Sequence, residues 1–361
     1  MTKRIVIHAG SPKTATTSIQ YGCIRRRDDL LAQGILFPVV ETLREPGLRN
    51  PAYSDAEQGD AFEFADSAHG SLFWSHRKKH PPSFERHAIL PALREEWDHI
   101  LDGFFAGPAH TLIISAEILF FEHKFNGLED MMPRLRGHRT DLVIGLRHPE
   151  PMLHALYAQV VKFKPRSVAP AATFHAVSRY LDGGYEALIE SLVDTVRPSN
   201  LKLYWMKDLF ADGRSAMGGF LRIIGADIGI DQEFVSNGTP DPDVVLLLRM
   251  LNRRGADWTA NKEIVEACES GGVGNGLPRT HSVFPEGIQR KMNRRFQLDL
   301  PYLERHGLPP FSAPKAPLLE QMRELSPEQI SAVIDRLQPK VSAKTSATLQ
   351  RLRDVPARSV S

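Results

Sequence analysis

Arg4-Ile5-Val6-Ile7-His8-Ala9-Gly10-Ser11-Pro12-Lys13-Thr14-Ala15-Thr16-Thr17-Ser18 runs from a short apolar segment through a loop of small and hydroxyl residues into a helix. Residues 4–9 read as a brief buried strand closed by Gly10, and the helical pattern begins at about Thr16 and stops near Gly34. The first backbone N–H groups of a helix have no partner within it, and the helix dipole favours negative charge at that end. Thr16, Thr17 and Ser18 can add hydroxyl donors, and Lys13 brings a full positive charge. These are the parts of an anion site suited to a terminal phosphate. The nucleotide-triphosphatase loop reads GxxxxGK[ST], whereas here the lysine precedes the hydroxyl run, which argues against ATP.

Outward from this unit, apolar runs at 111–115, 142–146 and 201–205 have the composition of buried parallel strands. Helical patterns lie at 84–105, 149–163, 185–196, 216–224, 244–254 and 327–337, several opened by Pro or Ser. Strands alternating with helices predict an α/β fold, a doubly wound parallel sheet flanked by helices. From about residue 241 the chain reads as mostly helical, and a polar tail at 342–361 is expected to be partly mobile. No linker-like stretch divides the middle, so residues 1–341 are expected to form a single domain. The polar, turn-rich residues 41–82 read as an insertion or lid. Its basic run, 76–80, reads either as a solvated surface or as a docking patch for an acidic acceptor such as a polysaccharide.

The chain has 361 residues, 42% hydrophobic and 24% charged, which places it among ordinary globular proteins. A formal net charge of +2 gives no field for nucleic acid, and no nucleic-acid partner is expected. Cys23 and Cys268 lack the spacing of a zinc or redox site, and no His, Cys, Asp or Glu cluster has metal-ligand spacing, so no metal is expected. No apolar signal core opens the sequence and no run reaches transmembrane length, so a cytoplasmic location is expected. Peripheral contact with a membrane would leave no such signature.

Pro12-Lys13-Thr14-Ala15-Thr16-Thr17 resembles the 5′-phosphosulfate loop of the sulfotransferases that use 3′-phosphoadenosine-5′-phosphosulfate (PAPS), commonly Pro-Lys-[Thr/Ser]-Gly-Thr-Thr. Ala15 stands where that family usually has glycine, so a positive φ there would be costly and the loop is expected to need a slightly different backbone. A second likeness begins at Leu146-Arg147-His148-Pro149: in the family, whose bacterial carbohydrate-sulfotransferase type the chain resembles, an arginine here and a serine eight residues on hold the 3′-phosphate. Arg147 matches, and Ala155 occupies the serine position. A weaker third likeness covers residues 202–210 and 220–225, with an echo at 293–296. The resemblance runs over about residues 1–225 and implies a sheet of the P-loop nucleotide hydrolase type.

It also implies the chemistry: transfer of a sulfuryl group from PAPS to a hydroxyl or amine acceptor, leaving 3′-phosphoadenosine-5′-phosphate (PAP). Lys13 would meet the charge that grows on the leaving 5′-phosphate. Ser11, Thr14, Ala15, Thr16, Thr17 and Ser18 would line the loop site, and Arg147 the 3′-phosphate. Glu117, at the carboxyl end of the run 111–115, is the candidate general base, since the family uses histidine or glutamate there. His8 reads equally as a packed histidine and stays outside the catalytic set; His123 and His148 read as loop residues. The acceptor is expected to be a carbohydrate. Two other readings stay open: a P-loop kinase or NTPase using Mg-ATP, and a catalytically degenerate nucleotide- or glycan-binding protein.

Overall fold

The computed structural model describes residues 3–11, 14–41, 69, 72, 89–117, 119–122, 127–163, 175–226, 228–229, 240–255, 258–270, 281–311 and 315–353. Lys13, His123 and the basic run 76–80 lie outside them, as does most of the segment 41–82. Read along the sequence, the chain is one domain with an insertion. In space it groups into two compact units, each assembled from separated stretches. The first comprises Met1–Arg147, Tyr185–Ser236 and Asp299–Pro310; the second comprises His148–Gly184, Asn237–Leu298 and Phe311–Ser361.

The first unit is built on a five-stranded parallel sheet, with β1 (Arg4–His8), β2 (Ile35–Leu36), β3 (Thr111–Ser115), β4 (Arg139–Leu146) and β5 (Asn200–Trp205) in the order β2-β3-β1-β4-β5. The parallel α/β sheet expected from the apolar runs is therefore present, and β2, only two residues long, is the strand the sequence did not announce. Ile5, Val6 and Ile7 are all fully buried, as are Leu112, Ile113 and Ile114, because a parallel sheet is covered on both faces. The connection that leaves β1 runs to the edge strand β2, whereas those leaving β3 and β4 run the other way. Right-handed crossovers place such diverging connections on opposite faces, which opens a crevice at the carboxyl ends of β1 and its neighbours.

The helix expected over 16–34 is two helices, α1 (Thr16–Arg25) and α2 (Arg27–Ala32), with Arg26 as the break. Arg25 sits in the last turn of α1 and Asp28 and Asp29 in the first turn of α2, so each charge meets a favourable helix end. Helix α3 (Ile89–Ala106) precedes β3; α4 (Leu119–Glu122) and α5 (Leu128–Leu135) follow it. Helix α6 (Pro149–Phe163) belongs to the second unit. Helix α7 (His175–Val196) has its last residue in that unit at Gly184, where φ is 67° and ψ −166°, and restarts at Tyr185 in the first.

After β5 comes α8 (Ala216–Ile223), whose Met217, Phe220 and Leu221 pack with Ile19 and Cys23 of α1 over Val6, Ile113 and Val143 of the sheet. Two glycines permit this close layer. A Cβ at Gly22 would lie 2.7 Å from Met217 Cβ, and one at Gly219 would run into the backbone carbonyl of Leu209.

In the second unit, α9 (Pro242–Arg253) and α10 (Trp258–Ser270) are tied to α6 through Asn252, which donates to Val161 O at 3.1 Å and accepts from Asn261 at 2.7 Å. Two further strands, β6 (His281–Ser282) and β7 (Glu320–Gln321), pair in parallel. Side-chain amides of Gln289 and Asn293 on α11 (Glu286–Arg305) hold the backbone of residues Leu319 and Ala316. Helices α12 (Pro327–Leu337) and α13 (Ala343–Arg353) follow. The tail expected from residue 342 is thus helical through Arg353: Thr345, Leu349 and Leu352 fall on one helix face and are buried, a stripe that the surrounding Ser, Thr and Arg residues mask. Among the described residues no helix is long and apolar enough to cross a membrane.

Substituting Gly219 by alanine tests the α8 contact. Helix propensity alone would raise stability by about 1 kcal/mol, but the methyl must displace backbone, so a net loss of about 1–3 kcal/mol is expected in urea unfolding. A gain would show that α8 does not sit against residue 209.

Candidate functional site

Three neighbouring strands carry three of the elements singled out in the sequence. β3 leads to Glu117, β1 to the hydroxyl loop and β4 to Arg147. His8 stands level with both Ser115 and Val143, and the ladder continues past it: Ala9 N–H donates to Val143 O at 3.0 Å, Ser11 N–H to Gly145 O at 2.8 Å, and Ala116 N–H to His8 O at 2.9 Å. The start of the loop is thereby fixed to β4 just before it ends at Leu146, next to Arg147, and Ala116, next to Glu117, is fixed to the strand that enters the loop. With adjacent strands about 4.8 Å apart, the three ends span roughly 10 Å. Glu117 and Arg147 are both half-buried. Ala155, in contrast, is buried in the second unit.

Within the loop, the Thr14 hydroxyl donates back to Ser11 O at 2.5 Å and closes a turn. Ala15 is the N-cap of α1 with φ 64° and ψ 20°, the left-handed region that favours glycine. The different backbone expected of an alanine here is therefore not adopted, and holding a residue with a Cβ in this region costs about 1 kcal/mol. Ala15 has no side-chain acceptor for the first turn, so the N–H groups there gain no cap from it. Thr14, Thr16 and Ser18 are buried and Thr17 is half-buried. Ser11 Oγ and Thr16 Oγ1 are both buried without a hydrogen-bond partner among the described residues. Leaving a hydroxyl in that condition costs about 1–3 kcal/mol, which a ligand oxygen at the loop would recover. A Cβ at Gly10 would fall 2.5 Å from Thr16 Oγ1 and 2.7 Å from Thr14 Oγ1, so glycine is required for the hydroxyls to gather there.

Beneath the loop lies a polar cluster that sequence reasoning missed. The His8 ring bonds Ser115 Oγ through Nδ1 at 2.8 Å and Tyr204 Oη through Nε2 at 2.9 Å. Gln20 of α1 donates to Ser115 O at 2.8 Å and to its Oγ at 3.3 Å. Pairing of β3 with β2 ends at Leu112, and further along that side the Ser115 N–H donates to His69 Nδ1 at 2.8 Å. His69 therefore carries its proton on Nε2, which donates to Pro38 O at 2.9 Å. Burial lowers the His8 pKa to about 3 and that of His69 to about 4, the latter opposed in part by the Pro38 bond. Both rings are neutral at pH 7, so His8 is the packed, hydrogen-bonded residue of the two readings open in the sequence. Tyr204 could have been found from register: it stands opposite Gly145, where a Cβ would lie 2.5 Å from its hydroxyl, and a lone glycine in a strand signals such an approach. Nothing local marks His69.

Of the site residues read from the sequence, Ser11, Thr14, Ala15, Thr16, Thr17, Ser18, Glu117 and Arg147 lie at or beyond the carboxyl ends of three adjacent strands. Among the described residues no three His, Cys, Asp or Glu side chains group as a metal site. Comparison with protein families, with curated proteins and with solved structures finds no match.

Two substitutions probe this geometry. Replacing Ala15 by glycine relieves the left-handed strain but loosens the unfolded chain, so stability is expected to hold or rise by up to about 1 kcal/mol, where an ordinary Ala-to-Gly change lowers it. A clear loss in urea unfolding would rule out the left-handed conformation. The second uses pH: because the folded pKa values of His8 and His69 lie below the ordinary 6.5, their contribution is complete above pH 6.5 and is lost as pH falls toward about 3 and 4. Unfolding free energy measured from pH 7 to pH 4.5 should fall less steeply in His8→Gln than in the wild type, by about 1.4 kcal/mol per pH unit. Parallel curves would show that His8 takes up its proton in the fold.

Proposed function

We propose that this chain is a PAPS-dependent sulfotransferase acting on a hydroxyl acceptor, with carbohydrate as the favoured class. The observation that carries the reading is the pair of buried, partnerless hydroxyls, Ser11 Oγ and Thr16 Oγ1, at the start of α1 in a loop whose order is the sulfotransferase order. The fold type this reading requires is that of the P-loop nucleotide hydrolases, and the parallel sheet is compatible with it.

In this reading the loop hydroxyls and first-turn N–H groups hold the 5′-phosphosulfate, and Arg147 pairs with the 3′-phosphate. The acceptor oxygen attacks sulfur in line with the bridging oxygen; the bond from sulfur to that oxygen breaks and its electron pair stays on the 5′-phosphate, where Lys13 meets the added charge. The acceptor proton passes to Glu117. The left-handed Ala15 supports a loop that keeps the glycine-type backbone despite the substitution.

Calorimetric titration with PAP, ADP and ATP, each with and without magnesium, tests the donor. Metal-independent preference for PAP is expected; preference for Mg-ATP would favour a kinase, and absence of binding a degenerate fold. Given an acceptor, Lys13→Ala should abolish turnover, and Glu117→Gln should lower kcat by about 100-fold or more with PAP affinity retained. Full activity in either variant would remove that residue's role.

A further inference from the structure

Helix α7 breaks at Gly184 and restarts at Tyr185, so the first N–H groups of the new segment need acceptors. The carboxylate of Asp299, fully buried on α11, takes them: Tyr185 N–H donates to Oδ2 at 3.0 Å and Glu186 N–H to Oδ1 at 3.5 Å. The Tyr185 side chain, also fully buried, donates its hydroxyl to Arg147 O. Its ring meets Phe120 edge to face at 6.0 Å, three residues beyond Glu117. Burial first, and Asp299 second, hold the phenol well above its ordinary pKa, so it remains a donor. The last ladder pair of β4 is Leu146 with Trp205, one residue short of Arg147. The backbone that carries the Arg147 side chain is therefore anchored by the Tyr185 hydroxyl just where the sheet stops anchoring it.

We infer that Tyr185, oriented by Asp299, is a positioning residue that aims Arg147 at the second phosphate of the donor nucleotide and so sets the preference for a 3′-phosphorylated ligand. The inference rests on the reading of the site given above. Tyr185 touches no ligand in this scheme; it acts through Arg147. Its loss should therefore weaken recognition of the 3′-phosphate while leaving the contacts of the 5′-phosphate loop intact.

The test is titration of the full chain, wild type and Tyr185→Phe, with PAP and with adenosine 5′-monophosphate, which lacks only the 3′-phosphate. The expected result is a wild type that prefers PAP and a variant whose preference falls about 3- to 10-fold, the worth of one hydrogen bond, with monophosphate affinity unchanged. In an Arg147→Ala background, Tyr185→Phe should change nothing further. A wild type without preference for PAP would overturn the reading of the site itself. A wild type with that preference and a Tyr185→Phe variant that keeps it, or that loses both ligands equally, would overturn the role of Tyr185 alone. If Tyr185→Phe does not fold, Asp299→Asn serves in its place: the amide keeps one acceptor for the Tyr185 N–H, and an unchanged ligand ratio would likewise overturn the inference.

Discussion

Strand β1 is hydrogen-bonded along its whole length on both sides, and the geometry of the site follows from that. A central strand cannot slide or tilt without breaking two ladders, so the loop that leaves it starts from a fixed point. The pairing then extends past the regular strand, through Ser11 to Gly145 and Ala116 to His8, and carries that fixity into the turn where the chemistry is expected. The loop is rich in small residues, yet its start at Ser11 is held by the sheet.

Polar groups under the loop extend the same logic into the core. His8, Ser115, Gln20, Tyr204 and His69 are joined by hydrogen bonds in a region that burial strips of water, and each comes from a different part of the chain. Such a cluster rewards one arrangement of β1, α1, β3 and β5 and penalises the rest, because a slip of any member leaves a buried donor or acceptor alone. The hydroxyls of Ser11 and Thr16, in the loop and first turn that follow His8, make no such bonds among the described residues.

What the sequence disclosed and what it hid divide along one line, the separation of partners. The run 4–18 was legible because strand, loop and helix signals are local, and the restart of α7 at Tyr185 was legible because Gly183 and Gly184 punctuate the pattern. β2 was hidden by its length of two residues, and its edge position depends on pairing alone. The partners His8 and Tyr204 are 196 residues apart, and Tyr185 and Asp299 are 114 apart; no window along the chain contains either pair. The stripe of α13 was obscured by a polar composition, although its spacing was present to be read. At position 15 the alanine argued for a different loop backbone, yet the residue is left-handed, a form its side chain alone does not announce.

Asp299 also ties the completion of the first unit to the order in which the chain is made. Arg147, Tyr185 and Asp299 are each the unit's residue at a point where the chain leaves or re-enters it, and all three belong to one hydrogen-bonded group. During vectorial synthesis the five strands emerge with residues 1–205, but the carboxylate that caps the restarted helix emerges almost a hundred residues later. A nascent chain can pair its sheet early while the segment behind Arg147 stays unlatched until the greater part of the second unit's sequence has left the ribosome. The carboxyl end of β4 is then the last part of the sheet to be locked.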